Sequence, residues 1–376
     1  MQPLHYRALT AAIVLIVAIV AVSVSAQDKA PTVDDPMVRA VETMPLASQS
    51  LMLDITRVGE RYVAVGERGQ ILVSADGDRW TQSNVPLRST FTAISAIGAK
   101  VWVVGHDGVI LHSADGGDNW VIQRRDPWTA AAEGEEHYLR QGVPLLDVLF
   151  IDANHGIAIG AYSLLLRTSD GGATWNGSRI SEIGAVDSAA AVVIDDAAID
   201  DGLIVEEESD TFSADELKIG QESDPHLNGI ARTGSGALVV VGERGAIFRS
   251  RDDGASWERS QLPYDGSMFG AIGYDGDRVV AFGLRGHVFE TTDLGSTWVE
   301  LPTATELSLM GGIALADAGA VIVGANGTVL SRRSGNEPLR ISTYNAAGVI
   351  AGVLPAATGG GLLIAGENGL SRFQPK

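Results

Sequence analysis

One phrase returns along this chain. Residues 103–120 read VVGHDGVILHSADGGDNW, and four close variants follow the same plan: AVGERGQILVSADGDRW, AIGAYSLLLRTSDGGATW, VVGERGAIFRSRDDGASW and AFGLRGHVFETTDLGSTW. Two C-terminal stretches, IVGANGTVLSRR and IAGENGLSRF, keep only its first half. A fixed period constrains a fold strongly, because each unit has to bury its apolar face against a neighbouring copy. The first glycine of the loop falls at Gly66, Gly105, Gly160, Gly242, Gly283, Gly324 and Gly366, so four of the six steps are 39, 41, 41 and 42 residues. That is the length of one four-stranded propeller blade. The other steps, 55 and 82 residues, are the same unit carrying insertions. The sequence therefore predicts an all-β, seven-bladed β-propeller of four-stranded antiparallel blades over residues 38–376, and a second domain is not required.

Within a unit the apolar residues alternate, and glycine or aspartate marks the breaks. In the second unit the strands are expected near residues 91–95, 100–104, 109–112 and 120–123. The turn S-x-D-x-G-x-x-W has its own chemistry: the aspartate accepts turn amides, glycine takes a positive φ, and the tryptophan covers the blade junction. Its structural residues are Asp115 with Trp120, Asp170 with Trp175, Asp252 with Trp257 and Asp293 with Trp298; a copy at Asp76 and Trp80 is one residue short.

The first residues place Arg7 ahead of an apolar run from Ala8 to about Val24 and then the small-residue exit Val24, Ser25, Ala26. Residues 1–26 read as a secretory signal cut after Ala26, or as a retained N-terminal membrane anchor. Either reading places the ring outside the cytoplasm, in the periplasm or cell envelope, with residues 27–37 as a tether. The chain has no cysteine, so no disulfide staples the ring. The last unit ends just after its third strand, and residues 38–43 resemble an outer strand. Closure is expected by strand exchange between these two ends, which would hide an unpaired edge.

The formal net charge is -20, which disfavours nucleic acid and anionic bilayers as partners. Much of that charge sits in the longer of two insertions, placed at 124–142 and 176–227. Residues 195–224 alone hold 12 Asp or Glu against one Lys. Such a segment reads as a solvated loop, or as an arm for a basic partner. Its carboxylate density invites calcium, but it lacks EF-hand spacing.

Strand connectivity puts both insertions, and the loops between second and third strands, on one face of the ring. Loops on a rigid scaffold are where binding residues collect. The third loop position holds Arg68, Asp107, Tyr162, Arg244, Arg285, Asn326 and Asn368 in succession, with His106 beside Asp107. These are the binding candidates. Three arginines at equivalent positions suit an anionic or acidic-peptide ligand, whereas Glu67 beside Arg68 and Glu243 beside Arg244 invite local ion pairs. Arg285 has no acidic neighbour in its loop.

No metal-binding or nucleophile motif is present, so no catalytic residue, metal or cofactor is assigned. The Asp turns resemble those of sialidases and other Asp-box glycoside hydrolases. That resemblance implies, as the alternative function, a sialidase-like glycoside hydrolase or carbohydrate-binding propeller, with an arginine triad and a tyrosine paired with a glutamate that no residue pattern here fixes. The units V-G-x-x-G-x-I-x-x-S and D-G-G-x-x-W, plainest at 103–120, 240–257 and 281–298, more closely resemble the photosystem II assembly and stability factor family of BNR-type propellers, over about residues 38–373. The resemblance implies a non-enzymatic protein that binds membrane-protein intermediates through an arginine-rich patch, with Arg68, Arg244 and Arg285 as heirs by position. The acidic insertion departs from that family and points to a non-photosynthetic bacterial relative. By analogy, such a relative serves a membrane or envelope complex, for example a transporter of the RND type.

Overall fold

The computed structural model describes residues 35, 37–127, 142–183, 224–344, 348–357 and 359–374. The signal or anchor segment, nearly all of the tether and the bodies of both insertions lie outside the described residues.

Six sheets have four antiparallel strands in sequence order and a seventh has three. Blade 2 shows the plan: β5 (Phe91–Ile97), β6 (Lys100–Gly105), β7 (Ile110–Ser113) and β8 (Val121–Arg124), close to the spans expected from sequence. Inner strands follow one another around a closed ring: β1 (Met52–Val58), β5, β9 (Leu145–Phe150), β13 (Leu227–Arg232), β17 (Met268–Gly273), β21 (Leu309–Ala314) and β25 (Ile350–Pro355), which touches β1 again.

The core is divided among the junctions. Each adjacent pair of blades shares its own apolar cluster, from Val63, Val73, Phe91 and Trp120 between blades 1 and 2 to Met52, Tyr62, Leu72 and Leu363 between blades 7 and 1. Second strands are packed on both faces, so Val101 to Gly105 are all buried and period-two alternation disappears there. Each Asp-turn tryptophan packs against the preceding blade. Trp120 also donates its indole N–H to Gly117 O at 3.0 Å, within its own turn.

Two sequence expectations are corrected here. Asn176–Arg179, assigned above to the second insertion, form the fourth strand of blade 3. Arg124, likewise placed in the first insertion, ends the fourth strand of blade 2. The expected strand exchange also does not form among the described residues. Blade 7 has only β25, β26 (Leu362–Gly366) and β27 (Gly369–Phe373), and residues 38–43 bond elsewhere. Val41 N donates to Val85 O and Arg88 N to Met37 O, both at 3.0 Å, while Val41 packs on the core between blades 1 and 2. Burial of that valine fixes the segment beside the blade 1 connector. The following residues, Ala47–Gln49, do reach blade 7: a Cβ on Gly369 would lie 2.1 Å from Ser48 O. The N-terminal segment thus supplies the last blade's connector but not its fourth strand.

Each inner strand carries a bulge or register shift where it enters the ring. Four blades place glycine there, at Gly229, Gly270, Gly311 and Gly352, and neighbouring backbones come close: a Cβ on Gly311 would stand 2.0 Å from Ala351 O. Blades 1 and 3 place Asp54 and Asp147 there instead. Each carboxylate accepts the N–H of its following residue and one from the next blade, Ile94 N at 3.0 Å and Ile230 N at 2.9 Å. Burial raises both pKa values, Asp54 to about 7 with help from the Asp147 charge and Asp147 to about 6.

Candidate functional site

The loop face is built on a tight local constraint. The first loop glycine abuts the connector into the inner strand, and a Cβ on Gly105 would fall 2.1 Å from Thr90 O. The chain must then reverse within two residues. It does so by placing the third loop residue in the left-handed region: Arg68 (φ 54), Asp107 (φ 61), Tyr162 (φ 56), Arg244 (φ 53), Arg285 (φ 55) and Asn326 (φ 53). Asp and Asn accept this conformation readily, whereas arginine and tyrosine adopt it at a steric cost. Blade 7 differs, because Gly369 and not Asn368 takes the positive φ.

Arg68 is 76% exposed, and its Nε lies 3.8 Å from Glu67 Oε2, so the local pair is loose. Glu243 is engaged by His226, whose backbone N donates to Oε2 at 3.0 Å and whose ring stands 3.6 Å from Oε1. Arg285 makes no ion pair among the described residues. The ring brings Arg244 and Arg285 to adjacent blades, and Arg68 sits three blades beyond Arg285. His106, Asn326 and Asn368 are exposed. His112, on the third strand, is a packing residue: its ring stacks on Trp102 at 4.8 Å, and burial lowers its pKa.

Both insertions are rooted on these loops. Asp107 accepts Ser89 Oγ at 2.6 Å through its side chain and Asp126 N at 2.9 Å through its carbonyl, and Asp126 Oδ2 accepts Val143 N at 2.9 Å. Asp126 and Val143 flank the first insertion. Around the second, Ser163 N donates to Pro225 O and Ser163 O accepts Ile180 N, both at 2.9 Å, and Arg179 pairs with Asp224. Ser163 itself has φ 59 and is fully buried, so a strained residue pins both ends of the acidic segment. Beside this root an open hollow of about 530 Å³ is lined by Tyr162, Arg179, Asp224, His226, Glu243 and Arg244. The Tyr162 ring stands edge-on to His226 at 4.9 Å and is 59% exposed. The hollow lies between loops of blades 3 and 4, at the foot of the acidic insertion. Among the described residues no group of three metal-ligating side chains occurs.

Sequence reasoning did not single out Asp54 or Asp147. A bulge-position alignment, with glycine or alanine in the other copies, was the available signal.

Residues 34–128 match the family described as photosynthesis system II assembly factor YCF48. A photosystem II assembly lipoprotein Ycf48 from Prochlorococcus marinus is 29% identical over 161 residues, 36% of this chain and 40% of that protein. The chain thus matches well under half the length of that relative. Among solved structures, YCF48 bound to D1 peptide superposes with TM-score 0.60 at 16% identity, covering 90% of this chain and 97% of that one. YCF48 from Cyanidioschyzon merolae gives 0.59 at 15%, covering 88% and 97%. The WD40 propeller of Doa1 gives 0.59 at 11%, covering 90% and 97%, so these superpositions establish the ring and not its use. Together with the repeat spacing and the local match at 34–128, the chain is a BNR-repeat, seven-bladed β-propeller related to the photosystem II assembly factor Ycf48 family.

Proposed function

We propose that this protein is an exported, non-enzymatic propeller that binds a membrane protein and helps assemble its complex through the loop face. The observation that carries the reading is the repeated left-handed residue. Six loops hold that left-handed conformation, and four of them strain an arginine or tyrosine into it where asparagine or glycine would cost less. Strain kept at equivalent positions around one face, beside the roots of both insertions, fits selection for contact and not for stability. Binding follows from complementarity to a rigid ring, with Arg244 and Arg285 as neighbouring cationic contacts and Tyr162 as an exposed aromatic one. His106, Asp107, Asn326 and Asn368 supply polar contacts along the same arc, and the acidic insertion meets a basic part of the partner.

The related YCF48 structure bound to a D1 peptide supports a membrane-protein segment as the ligand class. In its narrower form the proposal concerns a non-photosynthetic relative that serves a periplasmic or envelope complex, such as an RND-type transporter. The N-terminal apolar run supplies export, by a cleaved signal or a retained anchor.

The test is crosslinking and affinity capture from the native envelope with the full chain and with a variant carrying Arg68→Ala, Arg244→Ala and Arg285→Ala. The parent is expected to capture a membrane protein and the variant to lose it. Equal capture by a variant that melts like the parent would remove this face from the interaction.

A further inference from the structure

Large apolar side chains are exposed unevenly. Val121, Val299 and Ile341 lie singly on outer strands, where such exposure is ordinary. Leu307, Met310 and Val349 instead lie at the starts of two neighbouring inner strands, with 36%, 37% and 36% of their surface exposed. Leu307 lies two residues before β21, Met310 is the second residue of that strand, and Val349 immediately precedes β25. Those two strands meet where Gly311 abuts Ala351 O, so Met310 and Val349 border one contact.

Several other blades close without an apolar residue just before the inner strand. Two places before the inner strand, where blade 6 has Leu307, blades 3 and 4 have Val143 and Pro225, and the remaining four blades have Ser50, Ser89, Gly266 and Gly348. One place before it, the counterparts of Val349 are Leu51, Thr90, Pro144, His226, Ser267 and Ser308, three of them small and polar. Exposed leucine and valine at positions that serine, threonine or glycine fill in several other blades mark a contact surface.

Arg285 is braced to the same surface. Thr303 Oγ1 donates to Gly286 O at 2.9 Å, a Cβ on Gly286 would lie 2.2 Å from Thr305 O, and Leu307 N donates to Thr305 Oγ1 at 3.1 Å. The guanidinium loop and Leu307 thus sit on one tied segment.

We propose that Arg285 and the crescent of Leu307, Met310 and Val349 form a two-part subsite for an extended partner segment carrying a bulky apolar side chain next to an acidic one. This rests on the loop-face reading above and adds its selectivity. The net charge of -20 repels acidic segments at long range, and screening confines that repulsion to about 8–10 Å. Apolar burial at the crescent supplies attraction that charge alone does not, and Arg285 fixes the register.

The probe is a random peptide library selected against the immobilised full chain, followed by affinities of the recovered peptides for three variants. Leu307→Ser with Val349→Ser is expected to lose the apolar enrichment, keep the acidic one, and weaken parent-selected peptides about tenfold, or about 1.4 kcal/mol. Arg285→Ala is expected to do the reverse. Thermal melting of each variant at the parent's temperature separates these effects from misfolding. If the serine variant returns the same peptides with the same affinity while the Arg68, Arg244 and Arg285 triple variant loses them, the crescent is not a subsite and the loop-face reading stands. If all variants bind alike, or no peptide is enriched, both fall.

Discussion

The Asp54 carboxylate leaves its own blade to accept the Ile94 amide of the next at 3.0 Å, and Asp147 does the same for Ile230 two blades further on. These aspartates occupy one place in the repeat, where other blades close the inner girdle with small residues. Burial holds their pKa values up, at about 7 and about 6 against an ordinary 3.8.

That shift fixes the sign of a pH effect. A carboxyl group whose folded pKa is raised binds its proton more tightly when folded, so its contribution is fully present below about pH 4 and is lost as pH rises toward 7. The Asp turns act oppositely. Bonds from Ser or Thr hydroxyls and turn amides hold Asp170, Asp252 and Asp293 at about 2, so their stabilisation exists above about pH 4 and is lost as pH falls toward 2. Exposure of the turns makes their share smaller through solvent screening. Urea midpoints should therefore peak in the weakly acidic range and fall by pH 8. Asp54→Asn with Asp147→Asn should flatten the fall between pH 5 and 8, and an unchanged fall would clear these residues of it.

A second prediction concerns blades 5 and 6. Arg332 is 3% exposed, and its Nη2 meets Glu290 Oε1 at 2.6 Å, while Arg278 approaches the same carboxylate at 3.4 Å. One glutamate serves two arginines, one of them buried. Glu290→Ala should cost roughly 3–5 kcal/mol in urea denaturation, because it leaves Arg332 charged and without its carboxylate inside the junction. Glu290→Leu with Arg332→Met should recover most of that loss, since an apolar pair of similar volume avoids the desolvation. A double variant as unstable as the single would assign the cost to packing instead.

Much of the ring was legible in the sequence because its determinants are local and repeated. The spacing of Gly105 and Trp120, copied along the chain, specifies strand, loop and turn in one phrase. The unread parts depend on contacts between distant residues. Asp54 acts on Ile94 and is repeated only by Asp147, and Arg332 acts on Glu290 across a blade junction, so the shared period says little about either. The N-terminal segment was misplaced for a related reason. Its resemblance to an outer strand and connector gave its local form, but the partner edge is chosen by where Val41 finds apolar cover, and that is the core between blades 1 and 2. The candidate loop residues were legible as positions, while their left-handed backbone was not. Arg285 sits between Leu284 and Gly286, and nothing in that triplet shows that the arginine shares the positive φ of its glycine neighbour.

The last prediction uses that conformation. Arg285 holds φ 55 without an ion pair among the described residues, so the folded state carries the steric cost of a left-handed arginine with no compensating bridge. Asn326, in the next blade, holds φ 53 with a residue suited to it. Arg285→Asn should therefore stabilise the ring by roughly 0.5–1 kcal/mol, read as a higher urea midpoint. The same variant should weaken membrane-protein capture if the arginine is kept for contact. Stability and binding would then move in opposite directions at one residue, as expected where strain is retained for function. An Asn variant that is no more stable than the parent would show that the loop does not strain its arginine, and the reading of the other loops would lose its physical basis.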